Sequence, residues 1–488
     1  TGNLCFESAS VALRPRIVFG GAGVDLDCGL TVLRQFDDIV DYVVRGEGER
    51  PLLALIEALQ NPPQEGPIPG LLTPRSLIDD SEVAFSPQQR LDNLVADVND
   101  LPIPDYGEYA ELAELHHISW YVSMEGSRGC WWNRSLTKNN PLRACYFCSL
   151  NLGSYREKTA THIAAEIKEL TRRHHTVRVR FMDNVMRKKG LIDVIDAIEQ
   201  HEMDLRLIAE VRASITPYEL CRLWEAGCHH IQIGIEGLST DYLNRLGKGS
   251  TTIQNLQAMK TCFELGIQSA SNLLVSFPGT TQEEIEETAH NIDNYAIAYE
   301  PPSTTEFALY PNSSVHARAG HFGVSNMRNH SSLCAALPDD VAKNLSLHWL
   351  DFDFDGEVAD WTPVQEAVTR WTALHNNARV VDTISQKPLF YTDGGTFLEI
   401  VDRREGLKTT ILDAEERRVY LYCLQIRRKA KVFEHFHHRH QPEQIQKMLD
   451  VFVAAKLMFQ EKSSVLSLAP AMRPLSAAKR IRRAHAAS

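Results

Sequence analysis

The 488-residue chain lacks three features that would have classified it at once. No apolar run approaches the roughly 20 residues that span a bilayer, so no membrane partner is expected. Positive charge is in deficit: 51 Lys and Arg stand against 63 Asp and Glu, a formal net charge of −12. General nucleic-acid binders are usually basic, so no nucleic-acid partner is expected either. Regular cysteine spacing is also missing. Ten irregularly placed cysteines in so long a chain exclude a small disulfide scaffold and fit a reducing, cytoplasmic compartment with a metal site. What is present is ordinary for a globular protein, 43% hydrophobic and 23% charged. The length is too great for one core, so several domains are expected.

Near the N-terminus, "RPRIVFGGAG" reads as a buried strand over 16–19 that ends in glycines. "FDDIVDYVVRGEGERPLLALIEAL" repeats the pattern, with a strand over 39–44, a glycine turn and a helix. Strand, glycine loop and helix, twice over, indicate a parallel α/β domain. Two units fall short of a complete doubly wound domain, so residues 1–60 are expected to be the C-terminal part of a Rossmann-like domain, with apolar strand surface exposed. The Pro/Gly-rich stretch that follows reads as a linker over 61–115. A second α/β region, 116–311, has strand expectations at 119–124, 177–181, 205–209, 230–234, 271–276 and 306–309, separated by amphipathic helices such as "HIAAEIKELTRRH". Six alternations predict a partial (β/α)6 TIM-like barrel. Residues 312–386 read as an irregular extension. Residues 387–470 read as a small α+β domain of winged-helix type, and 471–488 as a disordered basic tail.

The chemistry concentrates in "GSRGCWWNRSLTKNNPLRACYFCSL", which holds Cys130, Cys145 and Cys148 on one loop after the first barrel strand. Three thiolates hold a four-iron cluster with one iron open to an outside ligand, whereas four close the site. Spacing alone leaves open a structural zinc knuckle or buried free thiols. "SRGCWW" followed by "CYFCSLN", with Phe147 before the last cysteine, resembles the radical S-adenosylmethionine (SAM) enzymes. More narrowly it resembles the cobalamin-dependent C-methyltransferases that mature ribosomally made peptides. That branch has about half as many residues between its first two cysteines as the fourteen here. "NRSLTKNNPLRA" therefore reads as a loop insertion, at a closure cost of a few tenths to about 1 kcal/mol.

The resemblance implies a SAM site along successive strand ends. It assigns Phe147, Asp183 and Asn184 from "VRFMDN", Glu210 and Arg212 from "IAEVRAS", Gln232 and Glu236 from "AGCHHIQIGIEGLS", and Asn272 and Pro278 from "ASNLLVSFPGT". Each has a plainer reading. Glu210 and Arg212 could form an interior ion pair, Asn184 a turn, and Thr280 a helix N-cap. The glycine loops "FGGAG" and "RGEGE" place Gly20, Gly21, Gly46, Glu47 and Gly48 where the resemblance implies cobalamin, since glycine lets backbone approach a bulky ligand. The branch's usual Asp-x-His-x-x-Gly loop is not in the chain. His435, His437, His438 and His440 lack a completing ligand set and read as a solvated helix end.

The expected function is thus an enzyme with a 4Fe-4S cluster, SAM and cobalamin. Reductive cleavage of SAM would produce a radical that takes hydrogen from an unactivated peptide carbon, and methylcobalamin would supply the methyl group. The implied partners are a precursor peptide, held by the C-terminal domain, and an electron donor such as flavodoxin or ferredoxin. The alternatives are a cobalamin-dependent cyclase or rearrangement enzyme on a small molecule, and a non-catalytic zinc-knuckle binding protein.

Overall fold

The computed structural model describes residues 14–25, 27–61, 67–77, 93–134, 140, 142, 144–149, 154–378 and 387–487. Its centre is a sheet of six parallel strands: β4 (Val122–Met124), β7 (Arg178–Phe181), β8 (Arg206–Arg212), β9 (Cys228–Glu236), β10 (Gln268–Val275) and β11 (Ser303–Glu306). They lie in the order β11-β10-β9-β8-β7-β4, so the barrel is open between its first and last strands. Alternation decides which face is which. In β9, Ile231, Ile233 and Ile235 are at most 1% exposed against the helices, while Gln232 between them is open to the lumen. The same alternation in β8 turns Leu207, Ala209 and Val211 outward into the core and Ile208 and Glu210 inward.

The helices between the strands start where their sequences say they should. Thr216, Thr251 and Thr281 each head a capping box with Glu219, Gln254 and Glu284, satisfying amides that the first turn leaves orphaned. Such caps contribute roughly 1 kcal/mol each. The helix after "SFPGT" is capped by Thr281; Thr280, the residue expected in that role, instead donates to Phe277 O at 2.6 Å.

At the N-terminus, β1 (Val18–Phe19) and β2 (Tyr42–Val44) are parallel, and a third strand, β3 (Leu71–Leu72), pairs antiparallel with β2. The segment read as a linker therefore belongs to this unit. Asn93 confirms the attachment, bonding Arg45 O at 3.2 Å and Glu47 O at 3.3 Å. The unit has its own small core of Leu30, Leu33, Val40, Val43 and Leu72. β1 is not the buried strand its sequence suggests: Val18 and Phe19 are 36% and 43% exposed, and Leu53, on the helix Glu49–Gln60 after β2, is 58% exposed.

Residues 312–378 are also more regular than expected. They form an antiparallel pair, β12 (Val324–Asn329) with β13 (Leu350–Phe354), and the helix Thr362–Ala378. Trp371 is fully buried and its indole donates to Tyr299 O at 2.8 Å. The rest comprises a meander, β14 (Leu389–Asp393), β15 (Leu398–Asp402) and β16 (Lys408–Leu412), then the helix Ala414–Tyr422, β17 (Arg427–Arg428), the helices Lys429–Phe436 and Pro442–Ala454, and the hairpin β18 (Met458–Glu461) with β19 (Ser464–Ser467). The second sheet runs β17-β19-β18. Lys260 of the barrel helix Thr252–Leu265 is buried against this region and donates to Leu424 O and, at 2.9 Å, to Ser467 O. The tail read as disordered is the helix Pro474–Ala486, which buries Ala477, Ala478 and Ile481; Arg480 pairs with Asp393 and Arg482 with Glu225. Among the described residues no helix is long and apolar enough to cross a membrane.

Candidate active site

The cysteine loop leaves the barrel through a short neck. β5 (Ser127–Arg128) pairs antiparallel with β6 (Arg156–Glu157), clamping both ends of the loop whatever its length. Asp183, at the end of β7, is 5% exposed and accepts from Gly126 N at 2.8 Å and from the Ser127 hydroxyl. Burial pushes its carboxyl up to about 6 against the pull of these donors. Asp183 thus anchors the neck, rather than standing free for a cofactor amino group, and Asn184 follows on the same turn, half-buried. Most of the expected insertion, 135–139, 141 and 143, lies outside the described residues.

Two aromatic side chains missed in the sequence seat the loop. The Trp131 indole donates to Met186 O at 3.1 Å and the Trp132 indole to Gly247 O at 3.0 Å. Arg212, at the end of β8, lies with its guanidinium carbon 4.5 Å from the Trp132 ring centroid and 5.5 Å from that of Trp131. Its Nη1 donates to Cys145 Sγ at 3.7 Å and its Nη2 to Lys248 O. Arg212 therefore serves the cysteine loop and does not pair with Glu210. The "GKGST" motif receives the loop. Gly247 and Gly249 have φ of +66° and +70°; a Cβ at Gly247 would stand 2.7 Å from Ala144 O, and one at Gly249 would overlap the Trp132 indole. Tyr146 N bonds Leu246 O at 2.9 Å, which brings Cys145, Tyr146, Phe147 and Cys148 over the barrel mouth.

Inside the mouth the polar side chains converge. Glu210 and Gln232 are register partners across β8 and β9, and Asn272 is exposed on β10. Glu236 has a φ of +54°, an uncommon conformation for a residue with a side chain, and meets Lys248 Nζ at 2.7 Å. Ser276, two residues before the buried Pro278, also has a positive φ, +61°. Burial pushes the Glu210 carboxyl up to about 7; Glu236 adds to this, while Lys248 and Arg180 oppose it. The lumen thus holds two carboxylates, Glu210 and Glu236, and two cations, Lys248 and Arg180, with amides between them. Such a set suits a zwitterionic ligand. The sequence expectation had not included Lys248 or Arg180.

The glycine edge of the N-terminal unit reaches the same region. Gly21 and Gly46 have φ of +88° and +74°, and no heavy atom lies within 4 Å of a Cβ built on Gly21 or Gly23. Gly20 and Gly48 meet Val44 only at 3.8 Å. Glu47, by contrast, is committed to protein: it pairs with Arg156 and with Arg128 at 3.3 Å and accepts from Val95 N at 2.8 Å. Burial alone would raise its pKa, but these donors hold it below the usual range. Glu47 thus joins the glycine loop to the neck of the cysteine loop.

Cys130, Cys145 and Cys148 are reduced thiols on one loop. Among the described residues no three His, Cys, Asp or Glu side chains surround a point closely enough for a single metal ion, including the histidines at 435–440. Among the cysteines outside the loop, burial pushes the Cys221, Cys228 and Cys423 thiols up to about 12 and that of Cys262 higher still.

Residues 135–292 match the model of the radical SAM superfamily. An uncharacterized methyltransferase of Pyrococcus horikoshii is 29% identical over 61% of this chain and 63% of its own length. The hopanoid C-3 methylase of Methylococcus capsulatus is 25% identical over 51% of this chain and 45% of its own. The chain thus spans about half to under two thirds of these curated relatives. Among solved structures, the radical SAM methyltransferase TsrM of Kitasatospora setae, with cobalamin and a [4Fe-4S] cluster bound, has a TM-score of 0.51 at 16% identity, over 73% of this chain and 72% of that one. At that identity the likeness is one of fold. Radical SAM enzymes use a 4Fe-4S cluster and SAM, and residues 135–292, which span β7 to β10 of the barrel, are similar to their domain.

Proposed function

We propose that this protein is a cobalamin-dependent radical SAM methyltransferase that acts on an unactivated carbon of a ribosomally made peptide. The observation that carries the reading is the Glu47 clasp, which ties the open glycine edge to the neck of the cysteine loop. Cys130, Cys145 and Cys148 would hold the cluster. Glu210, Glu236, Gln232 and Asn272 would hold SAM, and Gly20, Gly21, Gly46 and Gly48 would let a corrin approach the backbone. The bound groups supply reductive radical formation and a transferable methyl. The chain itself positions them. Arg212 holds the loop at Cys145, Lys248 holds Glu236, and the half-open barrel admits a substrate while its lining shields the reacting centre from water. The exposed Val18, Phe19 and Leu53 supply an apolar surface for a bulky cofactor to cover.

The helix, strand, two helices and hairpin of 414–467, with sheet order β17-β19-β18, support a winged-helix reading of this region and a peptide substrate. A lipid or other small-molecule substrate is the second reading, since the hopanoid methylase is named for one. The test is anaerobic reconstitution with iron and sulfide, followed by SAM, methylcobalamin and a reductant such as flavodoxin or ferredoxin. Iron near four per chain and SAM turnover are expected. Zinc in place of iron, or iron without SAM turnover, rejects the reading.

A further inference from the structure

The C-terminal region carries a groove that the chemistry above does not use. A blind pocket of about 180 Å³ lies between the barrel helix Thr252–Leu265, β14 and the terminal helix Pro474–Ala486. It continues into an open cleft of about 1030 Å³ beside the helix Lys429–Phe436; Tyr422, Arg427 and Ala484 line both. At the inner end Tyr391 is 2% exposed, and its hydroxyl has no hydrogen-bond partner. A buried hydroxyl left unpaired costs roughly 1–3 kcal/mol, which marks this one as aimed at something it binds. Arg480 stands over the Tyr391 ring at 5.3 Å.

The walls are cationic. Arg417, Arg418 and Lys431 have carboxylate partners, Asp393, Glu415 and Glu434. Arg427 and Arg483 have none within ion-pair distance among the described residues, and both line the pocket. Arg427 lies over the Tyr422 ring at 4.9 Å, and His435 stacks on the same ring at 4.1 Å, making an aromatic shelf along the cleft. On a chain of net charge −12 this is a local reversal of sign. A guanidinium pair and an unpaired phenol hydroxyl around a pocket the size of one side chain recognise a carboxylate, and the shelf beyond it suits apolar residues on either side. Nucleic acid fits less well, because it needs an extended run of phosphate contacts and this groove offers one small pocket and a shelf.

We propose that this groove binds an acidic peptide segment, an Asp or Glu side chain entering the Tyr391 pocket between Arg427 and Arg483. From the functional reading above it takes only the assumption that the protein handles a peptide. The test is fluorescence anisotropy of the full chain with a labelled peptide of repeated Glu-Leu-Asp-Phe units, its Gln-Leu-Asn-Phe isostere, and a single-stranded oligonucleotide of similar length. The acidic peptide should bind roughly tenfold more tightly than the isostere, and more weakly as salt rises. The double variant Arg427→Glu, Arg483→Glu should lose that preference, with circular dichroism and reconstituted iron content unchanged. Tyr391→Phe, which removes only the hydroxyl, should weaken binding several-fold. Equal binding of the isostere, equal or tighter binding of the oligonucleotide, or unchanged affinity in both variants overturns the proposal. The assay needs neither SAM nor cobalamin, so a failure of methyl transfer leaves its result standing.

Discussion

Arg212 donates to Cys145 Sγ at 3.7 Å from the end of β8, flanked by Trp131 and Trp132. A cationic donor on a cluster thiolate favours the more reduced, more negative state, because hydrogen bonds to sulfur help set cluster potentials. Arg212→Gln should lower the cluster's midpoint potential by tens of millivolts, roughly 40 mV for each kcal/mol of lost interaction. Potentiometric titration followed by electron paramagnetic resonance reads this directly. An unchanged midpoint would show that the contact does not reach the cluster.

Alanine at Cys130, Cys145 or Cys148 should abolish the reconstituted iron signal and SAM cleavage. Alanine at Cys262, buried and remote from the loop, should leave iron content intact and cost only the stability of a small cavity, about 1 kcal/mol. If Cys130→Ala retains full iron and activity, the ligand set is wrong.

Glu210 should make SAM binding depend on pH. In the fold its carboxyl holds a proton up to about 7, against an ordinary value of 4.5. The folded state therefore binds the extra proton between those values. The stability this contributes is complete below about 4.5 and is lost as pH rises through about 7. The charged form that can accept from an ammonium group appears only over the same rise. SAM affinity should increase through neutrality in the parent and stay flat in Glu210→Gln, by calorimetric titration at several pH values. A parallel rise in the variant would place the titrating group elsewhere.

Breaking the Glu47 clasp should loosen the N-terminal unit selectively. Glu47→Gln removes the buried carboxylate that Arg156 faces, while Arg128 keeps Glu49 and Glu125, a loss of about 1–3 kcal/mol. Hydrogen exchange should quicken over 42–60 while barrel amides keep their protection. Uniform quickening across the barrel would contradict a local clasp.

Gly249→Ala should weaken iron retention without unfolding the barrel. The new methyl would meet the Trp132 indole, and φ of +70° disfavours any side chain. Slower iron loss from Gly249→Ala than from the parent, timed with a chelator, would refute the seat.

The barrel was legible because alternation survives reading. "HIQIGIE" sets Ile231, Ile233 and Ile235 on one face, and that face is buried. The cysteine loop was legible by its composition. Its seat was not: Trp132 and Gly247 are 115 residues apart, and no local pattern joins them. The glycines of "GKGST" were visible, but what they make room for was not. The helix Thr362–Ala378 carries a weak signal, Val364, Ala367 and Trp371 at helical spacing, all fully buried. In the terminal helix the charges of "AAKRIRRAHAAS" drew attention from the narrow face of Ala477, Ala478 and Ile481.

One apolar core runs without a break from Val122 in the first barrel strand to Ile481 in the terminal helix, with Lys260 bonded into it at the crossing. Elements that share a core melt together and do not swing apart, so the barrel and everything after it should unfold in one cooperative transition. The span from the cysteine loop to the C-terminal groove is then a fixed length. A chain held in the groove would present to the barrel only the residue that lies that far along it, so the protein would choose its target atom as a caliper does, by distance.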